Sequence, residues 1–234
     1  MKYSISKQTV TITKIVDLTP TAKELTLSLE TQLAFAAGSF INLFIECDGE
    51  VARRAYSISS SDSRQHQVTI TVRRNTVGKV SNYFWTNDCL GKTVEVMGPL
   101  GLNTVNKMAN STVYLFGFGI GAGVVKSLAD HLTARPETEQ VCIMLASKTS
   151  DDLIYQSYFT DLCSLHSKVS VQYVLSRDQH PDHLHGYIHD HIDHLDFSNS
   201  DVYVCGQESA CDSLVEKIEI RDPINTTYLV EGFH

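Results

Sequence analysis

Near residue 111 the hydrophobic rhythm of the chain changes, and that change restricts the available folds more than any single motif does. Before it, short runs alternate apolar and polar residues: TVTITKIVDL, KELTLSLE, SFINLFIE, HQVTITVRR and TVEVMGPL. Each reads as a strand with one buried face, and Pro, Gly, Asn and Asp punctuate the intervals. Many short strands at such spacing predict an antiparallel barrel or sandwich. Within this region VGKVSNYFWTN sets Val80, Tyr83 and Phe84 at helical spacing behind Gly78, which predicts one short helix. After the change, the apolar runs TVYLFGF, VCIMLAS, KVSVQYVLS and DVYVCG alternate with helix-like AGVVKSLADHLTA, DDLIYQSYFTDLCSLH and QESACDSLVEKI. Strands buried on both faces and alternating with helices predict a doubly wound parallel sheet. The division is expected in NTVNKMAN, between Leu102 and Ser111, giving one domain over 1–104 and a second over 105–234.

Composition narrows the function classes. Over 234 residues, 42% are hydrophobic and 20% charged, so both halves can build a core and neither reads as disordered. Nineteen basic against twenty-seven acidic residues give a net charge of −8, which disfavours a nucleic-acid surface because phosphate binding needs clustered Lys and Arg. No apolar run approaches the roughly eighteen residues of a membrane helix, so no membrane insertion is expected. MKYSISKQTVTITK also lacks a signal-peptide core, and the expected location is cytoplasmic. The six cysteines (Cys47, Cys89, Cys142, Cys163, Cys205 and Cys211) contain no C-x-x-C and no iron–sulfur quartet. They are expected to be reduced thiols.

Two segments carry chemistry. In VYLFGFGIGAGVVKSL a buried strand runs into Gly117, Gly119, Gly121 and Gly123 and then into a helix, the arrangement that lets backbone approach a pyrophosphate at a helix N-terminus. The same glycines would also suit a tight strand-to-helix crossover with no ligand. The next strand ends in Ala146-Ser147-Lys148, a hydroxyl and a cation that suit an adenosine 2′-phosphate or an ordinary solvated strand end. In the first half, Arg54-Ala55-Tyr56-Ser57 ends a strand-like segment. An Arg neutralises phosphate, an aromatic stacks on a planar ring and a Ser bonds a ring nitrogen, so these positions suit a flavin nucleotide.

Taken in order, R-x-Y-S, V-R-R, G-K-V-S-N, V-x-V-x-G-P-L-G, the glycine-rich turn, Y-V-C-G and a late E-G-F resemble the ferredoxin–NADP reductase superfamily over nearly the whole chain. The resemblance implies a six-stranded antiparallel flavin-binding barrel followed by the nucleotide domain, with FAD as cofactor and NAD(P)H as substrate. By that resemblance Arg54 faces the flavin pyrophosphate, Tyr56 packs on the isoalloxazine and Ser57 donates to flavin N5. Gly78, Lys79, Val80 and Ser81 hold the FAD phosphates, and Val72 and Arg74 flank the ribityl chain and adenine. Gly98, Pro99 and Gly101 form the loop that closes the barrel. Gly117, Gly119 and Gly121 match the pyridine-nucleotide loop. Cys205 and Gly206 lie near the nicotinamide, with Cys205 a polarizable group beside C4, while Glu231 and Phe233 match the acidic-aromatic ending. The alternative for that ending is a strand packed on the barrel. The chain departs from the pattern at Gly123-Val124, where Thr-Pro is usual, and at Gln207, where proline is usual.

Six histidines between His180 and His194 are the residue type of a transition-metal site. The resemblance instead puts Gly186-Tyr187-Ile188 at a turn into a helix with Ile188, Ile192 and Leu195 buried, leaving the histidines on a solvated face and no metal. The implied activity is a flavoprotein reductase that passes single electrons to a separate acceptor: a ferredoxin, flavodoxin, cytochrome or oxygenase component. A free-flavin reductase and a flavin- or nucleotide-binding regulatory module are the alternatives, and the choice between NADH and NADPH stays open.

Overall fold

A computed structural model describes residues 3–47 and 49–233. The first half forms β1 (Ser6–Thr19), β2 (Ala22–Leu29), β3 (Phe40–Cys47), β4 (Glu50–Ser57), β5 (Gln67–Arg73), α1 (Lys79–Thr86) and β6 (Thr93–Leu100). The strands make one antiparallel sheet ordered β4-β3-β6-β1-β2-β5. Alternation does the sorting: Val10 and Ile12, Leu25 and Leu27, Ile41 and Leu43, and Val68 and Ile70 all turn inward to one core. A register shift between Ile12 and Lys14 bends β1, whose first half pairs with β6 and whose second pairs with β2 alone. The two ends of the sheet meet through a single bridge, Ile58 to Ile70, so the barrel closes at one point. Helix α1 forms where predicted and buries Val80 and Phe84 in the same core.

The second half forms β7 (Thr112–Phe118), α2 (Ala122–Ala134), β8 (Gln140–Ser147), α3 (Gln156–Leu165), β9 (Val169–Leu175), β10 (Leu184–His185), β11 (Ser200–Gln207), α4 (Glu208–Glu219) and β12 (Thr227–Phe233). All six strands run parallel in the order β10-β9-β8-β7-β11-β12. Helices α2 and α3 cover one face and α4 the other, each over its own apolar layer, so the sheet is doubly wound. Asp201 is fully buried at the start of β11 and accepts bonds from Asn110 N–H (2.8 Å) and Nδ2 (2.9 Å), which pins the chain as it enters β7. Among the described residues no helix is long and apolar enough to cross a membrane.

Two expectations are corrected. Strand β9 is not buried on both faces, since Ser170 and Gln172 are exposed and only its second half is enclosed. The helix expected after Gly186 is a 3-10 turn, Ile188–Asp190. Ile188 and Ile192 are buried as expected, but the Arg221 guanidinium takes the carbonyls of Ile192 (2.8 Å) and Leu195 (2.6 Å), and the intervening His and Asp residues favour helix poorly. The ending Glu231-Gly232-Phe233 lies in a strand, β12, which touches the barrel half through Ser57 and Asn103. It joins the parallel sheet as an edge strand beside β11.

Polar bonds fasten the two halves. Tyr155 OH donates to Glu24 (2.7 Å) and lies 2.8 Å from Thr71 Oγ1, Ser127 Oγ donates to the Ser60 carbonyl (2.7 Å), and His131 Nδ1 lies 2.7 Å from Asp62. Asn103 Nδ2 donates to the Val230 carbonyl at 2.6 Å, tying β12 to the loop that leaves the barrel.

Candidate functional site

The two sheets face each other across a cleft of about 1130 Å³, above the roughly 300–1,000 Å³ of sites that take one drug-sized ligand. It lies past the C-terminal ends of the parallel strands, where β7 has β8 on one side and β11 on the other. That reversal of strand order opens a crevice that ligands use in folds of this type. Arg54, Arg73, Arg74, Lys148 and Arg177 stand on its walls against one carboxylate, Asp152. In a chain of net charge −8 this local reversal marks an anion site, because a concave positive surface focuses its field on phosphates.

From the barrel side, Arg54, Tyr56, Arg74, Gly78 and Ser81 reach the cleft. Arg54 and Tyr56 ride on β4, an edge strand, with Arg54 exposed and Tyr56 half-buried, and Arg73 and Arg74 lie at the end of β5 at the opposite edge. Burial holds the Tyr56 phenol above its ordinary range, partly opposed by the Arg54 charge, so it is a neutral ring surface. Gly78 is the N-cap of α1 and no side chain caps the first turn. The N–H groups there are therefore open to an anion. Ser81 Oγ donates to the carbonyls of Asn75 and Gly78, both at 3.2 Å, and so holds the turn in shape. Val72 and Val80 turn into the barrel core. Lys79 lines a separate cavity of about 440 Å³ and lies 3.5 Å from Glu50.

From the sheet side, Gly119, Ser147 and Lys148 reach the cleft, with Phe233. The other glycines serve packing. A Cβ on Gly117 would meet the Leu145 side chain, one on Gly121 would collide with the backbone carbonyl of Cys205, and one on Gly123 would strike Thr71 of the barrel. Gly123, where the family pattern has threonine, is thus what lets α2 approach β5. Ser176 and Arg177 end β9 as Ser147 and Lys148 end β8, and Arg177 N–H donates to the Lys148 carbonyl at 2.8 Å. Sequence reasoning passed over Ser176 and Arg177 and took Arg73 only as a member of V-R-R. The repeated hydroxyl-cation pair at two adjacent strand ends was the available signal.

Ser57, Cys205, Gly206 and Glu231 adjoin the cleft-lining Tyr56, Gln207 and Phe233 along the chain. Ser57 Oγ donates to Glu231 Oε1 at 2.6 Å, and Tyr203 OH donates to Oε2 of the same carboxylate at 2.7 Å. Burial pushes the Glu231 carboxyl above its ordinary range, and these two bonds pull it part of the way back. Cys205 is fully buried, and burial, with Glu231 adjacent, holds its thiol well above the usual range. It is a neutral core thiol and no nucleophile.

Among the described residues no group of three or more His, Cys, Asp or Glu is arranged to hold a metal ion. His185 Nδ1 and His191 Nε2 instead bond the carbonyls of Asp178 and His185, both at 2.9 Å, while His189 stacks on Tyr187 at the cleft rim.

Comparison with known proteins fits this division. Residues 9–104 match the oxidoreductase FAD-binding domain and residues 115–214 the oxidoreductase NAD-binding domain. The glycine betaine monooxygenase reductase subunit of Pseudomonas aeruginosa is 31% identical over 144 residues, which cover 61% of this chain and 39% of that protein. The reductase component of phenol 2-monooxygenase from a Pseudomonas species is 27% identical over 213 residues, covering 87% of this chain and 59% of that one. The chain thus spans about two to three fifths of these relatives. Two solved structures share the fold. An Amycolatopsis cytochrome P450 reductase has a TM-score of 0.87 at 22% identity and covers 98% of this chain and 71% of its own. A ferredoxin NADP+ reductase from Neisseria gonorrhoeae with bound FAD and NADP has a TM-score of 0.84 at 16% identity, covering 99% and 100%.

Proposed function

The chain belongs to the ferredoxin reductase-like superfamily of FAD- and NAD-binding oxidoreductases, and from that premise we propose that it is a reductase working from NAD(P)H through FAD to a separate single-electron acceptor. A ferredoxin, flavodoxin or oxygenase component is the acceptor class, in keeping with the relatives named above as monooxygenase reductases. The carrying observation is the single cleft, in which flavin-type and nucleotide-type residues share a cationic wall. The cytoplasm is the proposed location, supported by six cysteines without a disulfide among the described residues.

The donor set fits FAD. Arg54 and Arg74 supply charge for two phosphates, the uncapped start of α1 supplies N–H donors, and Tyr56 supplies a flat neutral face. FAD, when bound, supplies hydride acceptance and release of electrons one at a time. The chain's own work is alignment and electrostatics. Tyr56 orients the ring system, the glycine turn and the strand-end cations orient the dinucleotide, and Ser57 with Glu231 holds a proton at Ser57 Oγ. Phe233 adds an aromatic face to the cleft lining.

Purified protein incubated with FAD is expected to hold it in preference to FMN, because the second phosphate and the adenosine use the groove at Arg74 and Ser81. Anaerobic NADH or NADPH should then bleach the flavin absorbance. A bound flavin that stays oxidised would mark a regulatory module, and retention of FMN alone or of no flavin would overturn the barrel assignment.

The paired strand ends bear on nucleotide choice. Lys148 and Arg177 are both exposed, so removing either charge is expected to cost at the low end for a charge-assisted contact, about 1.5 kcal/mol or roughly tenfold in kcat/KM for NADPH. NADH should be nearly unaffected. A ratio of specificity constants unchanged in Lys148→Ala and in Arg177→Ala would make both solvated surface charges.

A further inference from the structure

Tyr203 has no role in the reading above, yet it heads the largest fully buried side chains of the described residues. A phenylalanine would fill the same space without a hydroxyl to satisfy, so the buried hydroxyl calls for an account. Its partner is Glu231 Oε2 at 2.7 Å, while Glu231 Oε1 accepts the Ser57 proton at 2.6 Å. The carboxylate is therefore gripped by β11 of its own sheet and by β4 of the barrel.

We propose that Tyr203 is a positioning residue that fixes Glu231 as a double acceptor and thereby sets the direction in which Ser57 presents its hydroxyl to the flavin. The proposal rests on the flavoprotein reading. A serine hydroxyl has one proton and two lone pairs. With its proton committed to Glu231, Ser57 Oγ meets the ring as an acceptor. That would suit a reduced flavin, whose N5 carries hydrogen. It does not suit the bare N5 of the oxidised ring, which is itself an acceptor. The direction is opposite to the donor role that family resemblance implies for Ser57, and it favours the reduced flavin.

The arrangement needs an ionised Glu231. The groups that face it are Tyr203 and Cys205 of β11, Ser57 of β4, and from α4 Cys211 and Glu208, the latter against Gly232. Burial keeps both thiols neutral, with Cys211 pushed up to about 12. The Tyr203 bond favours the ionised carboxylate, so its loss moves the carboxyl further up.

The test is Tyr203→Phe with FAD bound. The two-electron midpoint potential is expected to fall by about 30 mV, the equivalent of a tenfold change in the preference for reduced flavin. The acid inflection in the pH profile of flavin reduction should move to higher pH. In a Ser57→Ala background the same substitution should leave the potential where Ser57→Ala alone puts it, because Tyr203 acts through Ser57. A wild-type potential in Tyr203→Phe, or a full shift without Ser57, overturns the proposal. Should Tyr203→Phe not fold, Glu231→Gln serves instead. It is isosteric and is expected to lower the potential at least as far and to abolish the inflection, and retention of the inflection overturns the proposal. Wild-type protein that binds no FAD overturns the flavoprotein reading and this proposal together. Bound FAD with variants at the wild-type potential overturns the Tyr203 assignment alone.

Discussion

Ser57→Ala is expected to slow reduction of bound FAD by NAD(P)H roughly five- to hundredfold while FAD remains bound. Ser57 Oγ is anchored at 2.6 Å on a partly buried carboxylate, so it would meet the flavin already oriented, as an acceptor for hydrogen carried at N5. A hydrogen bond that strengthens in the transition state is worth about 1–3 kcal/mol, and each 1.36 kcal/mol is tenfold in rate. Retention of FAD follows because the phosphates are assigned to Arg54, Arg74 and the start of α1, away from Ser57. Stopped-flow absorbance under anaerobic conditions reads the step directly. Equal rates in variant and wild type would remove Ser57 from the mechanism.

Gly121→Ala is expected to lower thermal stability and to weaken pyridine-nucleotide binding together. The added Cβ collides with the carbonyl of Cys205, which is backbone of a central strand and has no rotamer by which to move aside. Overpacking of this kind costs about 1–3 kcal/mol, and in a chain of this size each 1 kcal/mol corresponds to roughly 2–4 °C in Tm. The turn Gly119–Gly121 must shift away from β11 to make room, carrying with it the cleft-lining Gly119. Calorimetry and nucleotide titration check the two effects. A wild-type Tm would show that the turn yields without cost.

Where the sequence was legible, the signal was periodic or local. Ile41, Leu43 and Ile45 repeat at two residues, and the switch to continuous runs at Val113 to Phe116 announces a strand covered on both sides. Both patterns arise from burial that each strand imposes on itself. Strand β9 was misread because Val169, Val171 and Val174 look alike in sequence, while Val169 and Val171 lie on the face that α3 covers and Ser170 and Gln172 lie on the other, where cover reaches only Val174. The turn after Gly186 was misread because its competitor is Arg221, which lies some thirty positions later. In the site, Arg54, Tyr56 and Lys148 were legible as residue types suited to phosphate and ring. Glycines conflated two purposes, since Gly121 and Gly123 answer to a neighbouring backbone and a neighbouring domain while Gly119 lines the cleft. Tyr203 was illegible for a plainer reason: a tyrosine inside DVYVCG reads as core, and its partner arrives from another strand.

The bond between Ser57 and Glu231 joins positions 174 residues apart. Contacts of such separation carry a large loop-closure cost and form only after the intervening structure has condensed. The barrel contains its own core and the start of α1, whereas β12 belongs to the other sheet. Glu231 enters only with β12, which itself waits for β11. The anchored serine therefore exists only where the barrel and the parallel sheet are both in place, so its bond to Glu231 reports on assembly of the whole chain.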